Sequence, residues 1–212
     1  MAVMPIAVAG KNPGEIFIPA LGRSFTQVEL TEDDISDSVQ QGSGSVSAGT
    51  SLKLWDSTTD KNRQHSSLGQ VHRISAGEEA AVFRVGVHPR GAFGNTVPTF
   101  NDLKKITETG SLELKFNRRV ITSGPLLKYQ SGYGIGGHSD ETGVNAFSVG
   151  VPSAAAAPTL FVPQQLKDTD DLNGTLDFLN AAWITSYAVP VLDGRNVITV
   201  FLRAVIKMPL GK

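Results

Sequence analysis

The strongest constraint on the fold of this chain is a period of two in which apolar and polar residues alternate. Along 198–208, Ile198, Val200, Leu202, Ala204, Ile206 and Met208 fall on one face and Thr199, Arg203 and Lys207 on the other. Leu112, Leu114 and Phe116 likewise oppose Glu113, Lys115, Asn117 and Arg119. A strand sends successive side chains to opposite faces, whereas a helix would scatter both sets around its axis. In Ala80 to His88 the same rule sets Ala81, Phe83, Val85 and Val87 against Arg84 and His88. Asp193-Gly194 supplies the positive φ of a tight turn, so Trp183 to Leu192 and Arg195 to Met208 read as a hairpin.

Weaker signals fill in the rest. Residues 1–14 read as an irregular arm broken by Pro5, Gly10, Pro13 and Gly14, ahead of a single β-sandwich domain over 15–212. Short strands are expected at 15–21, 23–30, 51–55, 71–74, 146–151 and 160–162, with loops at 57–67 and 122–143. Two helices are expected. Thr31 and Asp34 resemble a capping box, with Ile35 and Val39 four apart and Gly42 as the stop. Thr99 to Thr109 places Leu103 and Ile106 on one side before Gly110. Residues 172–182 fit either a helix or a strand start. The sum is a mostly β protein, an antiparallel β-sandwich of jelly-roll type with one or two short helices; an immunoglobulin-like sandwich is the rival topology.

Composition agrees, with charged residues at 18 % and 22 glycines, and it excludes some roles. The formal charge of −1 draws the protein toward neither nucleic acid nor anionic lipid. Charge nevertheless comes in blocks. Lys104, Lys105, Lys115, Arg118, Arg119 and Lys128 cluster mid-chain, acids dominate 129–194, and Arg195, Arg203, Lys207 and Lys212 close the chain, a pattern open to complementary faces or to ordinary solvated surface. With no cysteine there are no disulfides, thiolate metal sites or Cys nucleophile. No stretch is long and apolar enough to span a bilayer, and the start lacks a basic leader, so a soluble protein of unassigned compartment is expected. One glycosylation sequon starts at Asn173.

The candidates for chemistry are sparse. Gly132-Tyr133-Gly134-Ile135-Gly136-Gly137 matches the dinucleotide fingerprint by letter, but His138 to Gly143 follows in place of a helix, and no acid stands at the required distance. His65, His72, His88 and His138 lack metal spacing; His138 beside Asp140 and Glu141 is the one local cluster of ligand types, and His72 and His88 fall on expected strands. No serine sits in a nucleophile elbow, and the adjacency of His138, Ser139 and Asp140 is no triad, which geometry assembles in space. Asp33-Asp34 and Asp170-Asp171 lie in polar segments. No catalytic, cofactor or metal residue is nominated; the expectation is a protein that is not an enzyme and has no cofactor or small-molecule substrate. Arg118, Arg119, Lys115 and Lys128 with Tyr129 and Tyr133 could meet nucleic acid, but the basic face this needs is weak and the chain has no basic N-terminal arm, so direct binding is not expected.

An irregular apolar arm, strands from Phe17 to Lys207, large glycine-rich loops and no cysteine together resemble the capsid-type jelly-roll proteins of bacterial or archaeal viruses. The resemblance spans nearly the whole chain and is architectural. It implies a structural virion protein, a capsid or capsid-associated component that assembles with copies of itself and other virion proteins. The alternative is a carbohydrate-binding or adhesive β-sandwich module, for which Trp55, Trp183, Tyr129 and Tyr133 are the stacking candidates.

Overall fold

A computed structural model of the chain describes residues 6–10, 15–26, 29–41, 48–56, 66–68, 70–90, 106–130, 135–139, 145–149, 157–178 and 196–208. These residues are mostly strand. Two four-stranded antiparallel sheets carry the architecture. In chain order their strands are β4 (Leu30–Gln41), β5 (Thr50–Leu54), β6 (Glu79–Arg90), β7 (Gly110–Phe116), β8 (Arg119–Pro125), β11 (Thr159–Lys167), β12 (Leu172–Phe178) and β13 (Asn196–Lys207). Sheet I runs β11-β6-β13-β4 and sheet II β5-β12-β7-β8. The pairings are nested: β4 with β13, β5 with β12, β6 with β11, β7 with β8. Two further pairings, β6–β13 and β7–β12, knit these hairpins into sheets.

The core lies between the sheets and follows the alternation of the sequence. Sheet I contributes Ile35, Val85, Val87, Ile198, Val200 and Leu202; sheet II contributes Leu54, Leu112, Leu114, Leu172, Leu176 and Phe178. Truncating one such fully buried leucine to alanine costs about 2–5 kcal/mol. Gly174 leaves room for this packing. A Cβ there would stand 2.7 Å from the Trp55 ring and 2.8 Å from Leu54, so even alanine would displace the tryptophan.

A smaller sheet of β1 (Val8–Ala9), β2 (Glu15–Ile18) and β3 (Arg23–Thr26) forms a third layer. Its Ile18, Leu21 and Phe25 pack with Ala81 of β6, and Val205 of β13 borders them on the outer face of sheet I. Val8 and Ala9, expected as irregular, pair with Phe17 and Ile16. Within the stretch expected as loop, β9 (Ile135–Ser139) forms a hairpin with β10 (Asn145–Val149), which matches the strand expected at 146–151.

Several expectations are corrected. Residues 30–41 form no helix but the full-length strand β4, because Ile35, Asp37 and Val39 alternate into the core and pair with Leu202, Val200 and Ile198. The four-residue spacing of Ile35 and Val39 satisfies both periods, and twelve residues of ladder with β13 outweigh local helix propensity. Residues 71–74 are a turn with one bridge, Gln70 to Arg73, rather than a strand. In β6 a bulge at Phe83, where Arg203 faces Arg84 and Ala204 faces Val82, switches the inward parity. Ala80 and Val82 therefore point into the sandwich before it and Val85 and Val87 after it, while Ala81 meets the N-terminal layer. Of the second expected helix only 106–109 is described, and it is helical. Residues 172–178 resolve as strand. The first arm and turn of the expected C-terminal hairpin lie outside the described residues; its second arm is β13, in the alternation expected.

Candidate functional site

Antiparallel alternation places the strand ends leading into 42–49, 91–109, 126–158 and 179–195 at one end of the sandwich, and those leading into 55–78, 117–118 and 168–171 at the other. The chemical candidates of the sequence scatter between these ends. His72 lies in the turn beside Leu172 and His88 near the far end of β6, so they do not converge. Ile135, Gly136 and Gly137 are strand β9 in antiparallel pairing with β10, where a dinucleotide fingerprint requires a helix start. His138 and Ser139 continue that strand. His65, Lys104, Lys105, Tyr133, Asp140, Glu141 and Trp183 lie outside the described residues.

Two of the four stacking candidates are core residues. Trp55 and Tyr129 are each 1 % exposed. Tyr129 shares a 2.9 Å hydrogen bond with Thr122 Oγ1, and Lys128 Nζ sits 5.2 Å from its ring centroid. Trp55 takes φ 57°, and its amide donates to Asp37 Oδ2 at 2.5 Å. Neither ring can stack on a sugar or a base. Asp37, fully buried and not among the sequence candidates, ties β4 to the end of β5. The signal was available, since Asp37 shares the parity of Ile35 and Val39.

At the end that carries 117–118 and 168–171 the carboxylates hold turns closed. Asp168 accepts from the Gly77 amide at 2.7 Å, and Asp170 from the Lys167 amide and from Asn117 Nδ2. Asp171 pairs with Arg73 at 3.2 Å, and His72, at φ 61°, faces the Leu172 carbonyl and, at 3.5 Å, Asp56. Acceptors engaged in this way fix loop geometry and present no converging pair for acid–base work. Asn173 sits near the start of strand β12 opposite Lys115, not in a loop.

The clearest organised surface feature is electrostatic. β4 and β5 neighbour each other at one side of the sandwich, which leaves β8 and β11 together at the other. Residues 29–41 carry Glu29, Glu32, Asp33, Asp34 and the buried Asp37 with no base. Residues 118–130 and 157–167 carry Arg118, Arg119, Lys128 and Lys167 with no acid. On the acidic side Arg203 donates to Glu32 at 2.8 Å and lies 3.9 Å from Asp34, and the Glu32 bond pushes the guanidinium further up. Burial raises the Asp34 carboxyl above its ordinary value, Arg203 opposes, and Asp33 and Glu32 add to the rise. Glu29 is lowered by accepting from the Thr26 hydroxyl and amide. On the basic side Lys128 donates to Thr122 and Ser123, and Lys115 pairs with Glu113 on its own strand. The bulged part of β11 adds Phe161 and Val162, 55 % and 40 % exposed.

Among the described residues no group of acids and histidines is arranged to hold a metal ion, and no helix is long and apolar enough to cross a membrane. No protein-family model, no curated protein and no solved structure matches the chain.

Proposed function

We propose that the sandwich is a jelly roll and that the chain is a self-assembling structural protein of a virus particle, a capsid or capsid-associated component. The nested pairing carries this reading. Eight strands taken in order pair first with last, second with seventh, third with sixth and fourth with fifth, and the folded hairpin then divides into two sheets of four. A jelly roll wraps in this way, and the architecture is used by capsid, lectin and cupin proteins. Within that set the interior favours a building block. Its facing sheets are filled with Leu, Val, Ile and Phe, which leaves the surface and edges to do the work. The lectin-like alternative is weakened by the burial of Trp55 and Tyr129.

The test is the mass distribution of the purified full chain, by mass photometry and negative-stain electron microscopy, across concentration and salt. Large homo-oligomers of uniform size are expected. A protein that stays monomeric under every assembly-favouring condition would overturn the proposal.

A further inference from the structure

We propose that the acidic β4 side of one copy docks against the basic β8/β11 side of the next, so that assembly runs head-to-tail. The inference rests on the reading of the chain as a self-assembling subunit, and names the surfaces that would join. The occupant is a second copy because the chain itself supplies both halves of the match. One side carries Glu29, Asp33 and their neighbours with no base in 29–41; the other carries Arg118, Arg119, Lys128 and Lys167 with no acid in 118–130 or 157–167. Asp33 accepts from the Asp34 amide and Lys128 donates to neutral oxygens, so these partners leave their charges standing, while Glu29 lies near Lys207 and Arg23, and Glu32 and Asp34 lie against Arg203.

Among the described residues β4, β8 and β11 are also the terminal strands of their sheets, a position from which a strand can pair with a neighbour. Ser66 and Ser67 bond β4 at Ser36 and Asp37, beyond the acidic run. Phe161 and Val162 stand exposed where β11 leaves the ladder with β6, which gives the basic side apolar area to desolvate. A two-fold contact would bring like charges together, cations on cations or acids on acids. A contact between unlike sides attracts, and as a heterologous interface it closes into rings or propagates.

Two charge-reversed chains test this: Glu29→Lys with Asp33→Lys, and Arg118→Glu with Arg119→Glu. All four positions are exposed or half-buried, and an unchanged far-UV CD spectrum and Tm certify the fold. By mass photometry at low salt, each variant alone should need about tenfold or more protein than the wild type for half-assembly, since the two reversed charges cancel the attraction of one side of the contact. An equimolar mixture should recover assembly, because the reversed pair of one variant then meets the reversed pair of the other, and the two unchanged sides meet as in the wild type. If the wild type assembles and either variant alone does so at the same concentration, this contact is wrong while the subunit reading stands. Folded variants that fail alone and also fail when mixed would overturn the pairing of these two sides. A monomeric wild type would remove both proposals together.

Discussion

At the scale of single residues, the polar groups inside and beside sheet I show how this chain uses charge. Asp37 is fully buried, and its bond to the Trp55 amide fixes a turn that tryptophan enters at positive φ. Asp34, half-buried on the outer face, is held by burial above the ordinary carboxylate value in spite of Arg203. The folded protein therefore binds this proton more tightly than the unfolded chain does. That preference favours folding at low pH and fades as pH rises from the unfolded value through the raised one. Asp34→Asn removes the cost of ionising the group, so the variant should melt about 1–2 °C above the wild type at neutral pH, a small effect because solvent screens a partly exposed pair. The difference should close as pH falls below the ordinary carboxylate range. Thermal melts of both proteins between pH 3 and 8 check the sign, and an Asp34→Asn variant less stable than the wild type at neutral pH would mean that the Arg203 contact outweighs burial.

At the scale of elements, position in the sheet decides what a strand tolerates. β13 is hydrogen-bonded on both sides, by β4 and β6, along nearly its whole length. β11 is an edge strand whose residues 160–163 are skipped by the ladder, between Thr159 paired with Arg84 and Gln164 paired with Val82. Thr199→Pro removes a ladder donor in the middle of sheet I and should cost about 3 kcal/mol or more, while Phe161→Pro should cost less than about 1 kcal/mol. Urea denaturation of the two variants compares them directly; equal losses would show that the bulged segment is held as tightly as the central strand. The same positional logic explains what could be read in advance. β7 and β13 have one inward face and clean alternation, so both are legible from residues alone, although the alternation of β7 reads on through Arg119, past the turn at Asn117 that starts β8. β4 is not, because Ile35 and Val39 satisfy a helix as well as a strand and the deciding partner, β13, lies at the far end of the chain. The face of β6 is hidden in the sequence for a different reason: both of its faces are buried, and the bulge at Phe83 shifts the parity without any proline or glycine beside it to mark it. The opposed charged sides were half visible. The sequence contains the acidic run and the basic cluster, but only the sheet order sets them on opposite sides of the molecule.

At the scale of the whole molecule, nesting makes the chain depend on its ends unequally. Sheet I has β6 and β4 on either side of β13, so the last strand joins pieces that no other pairing holds together. Ending the chain at residue 195 would expose the facing edges of β4 and β6 and remove Ile198, Val200, Leu202, Ala204 and Ile206 from the core. Each lost large aliphatic side chain forfeits about 1.5–3 kcal/mol of burial, and the sum is comparable to the whole net stability of an ordinary domain, roughly 5–15 kcal/mol. The N-terminal layer is different in kind. Removing residues 1–26 takes away β1 to β3 and the Arg23–Glu79 ion pair, and it uncovers Ala81 and Val205, but it leaves every pairing of the two main sheets and the core between them intact. The C-terminal truncation should therefore abolish the cooperative urea transition. The N-terminal one should keep it at a lower midpoint and bind ANS on the bared patch of sheet I. A C-terminal truncation that still unfolds in one sharp step would mean that the sandwich does not depend on its central strand, and the nested arrangement from which its assembly is argued would fall with it.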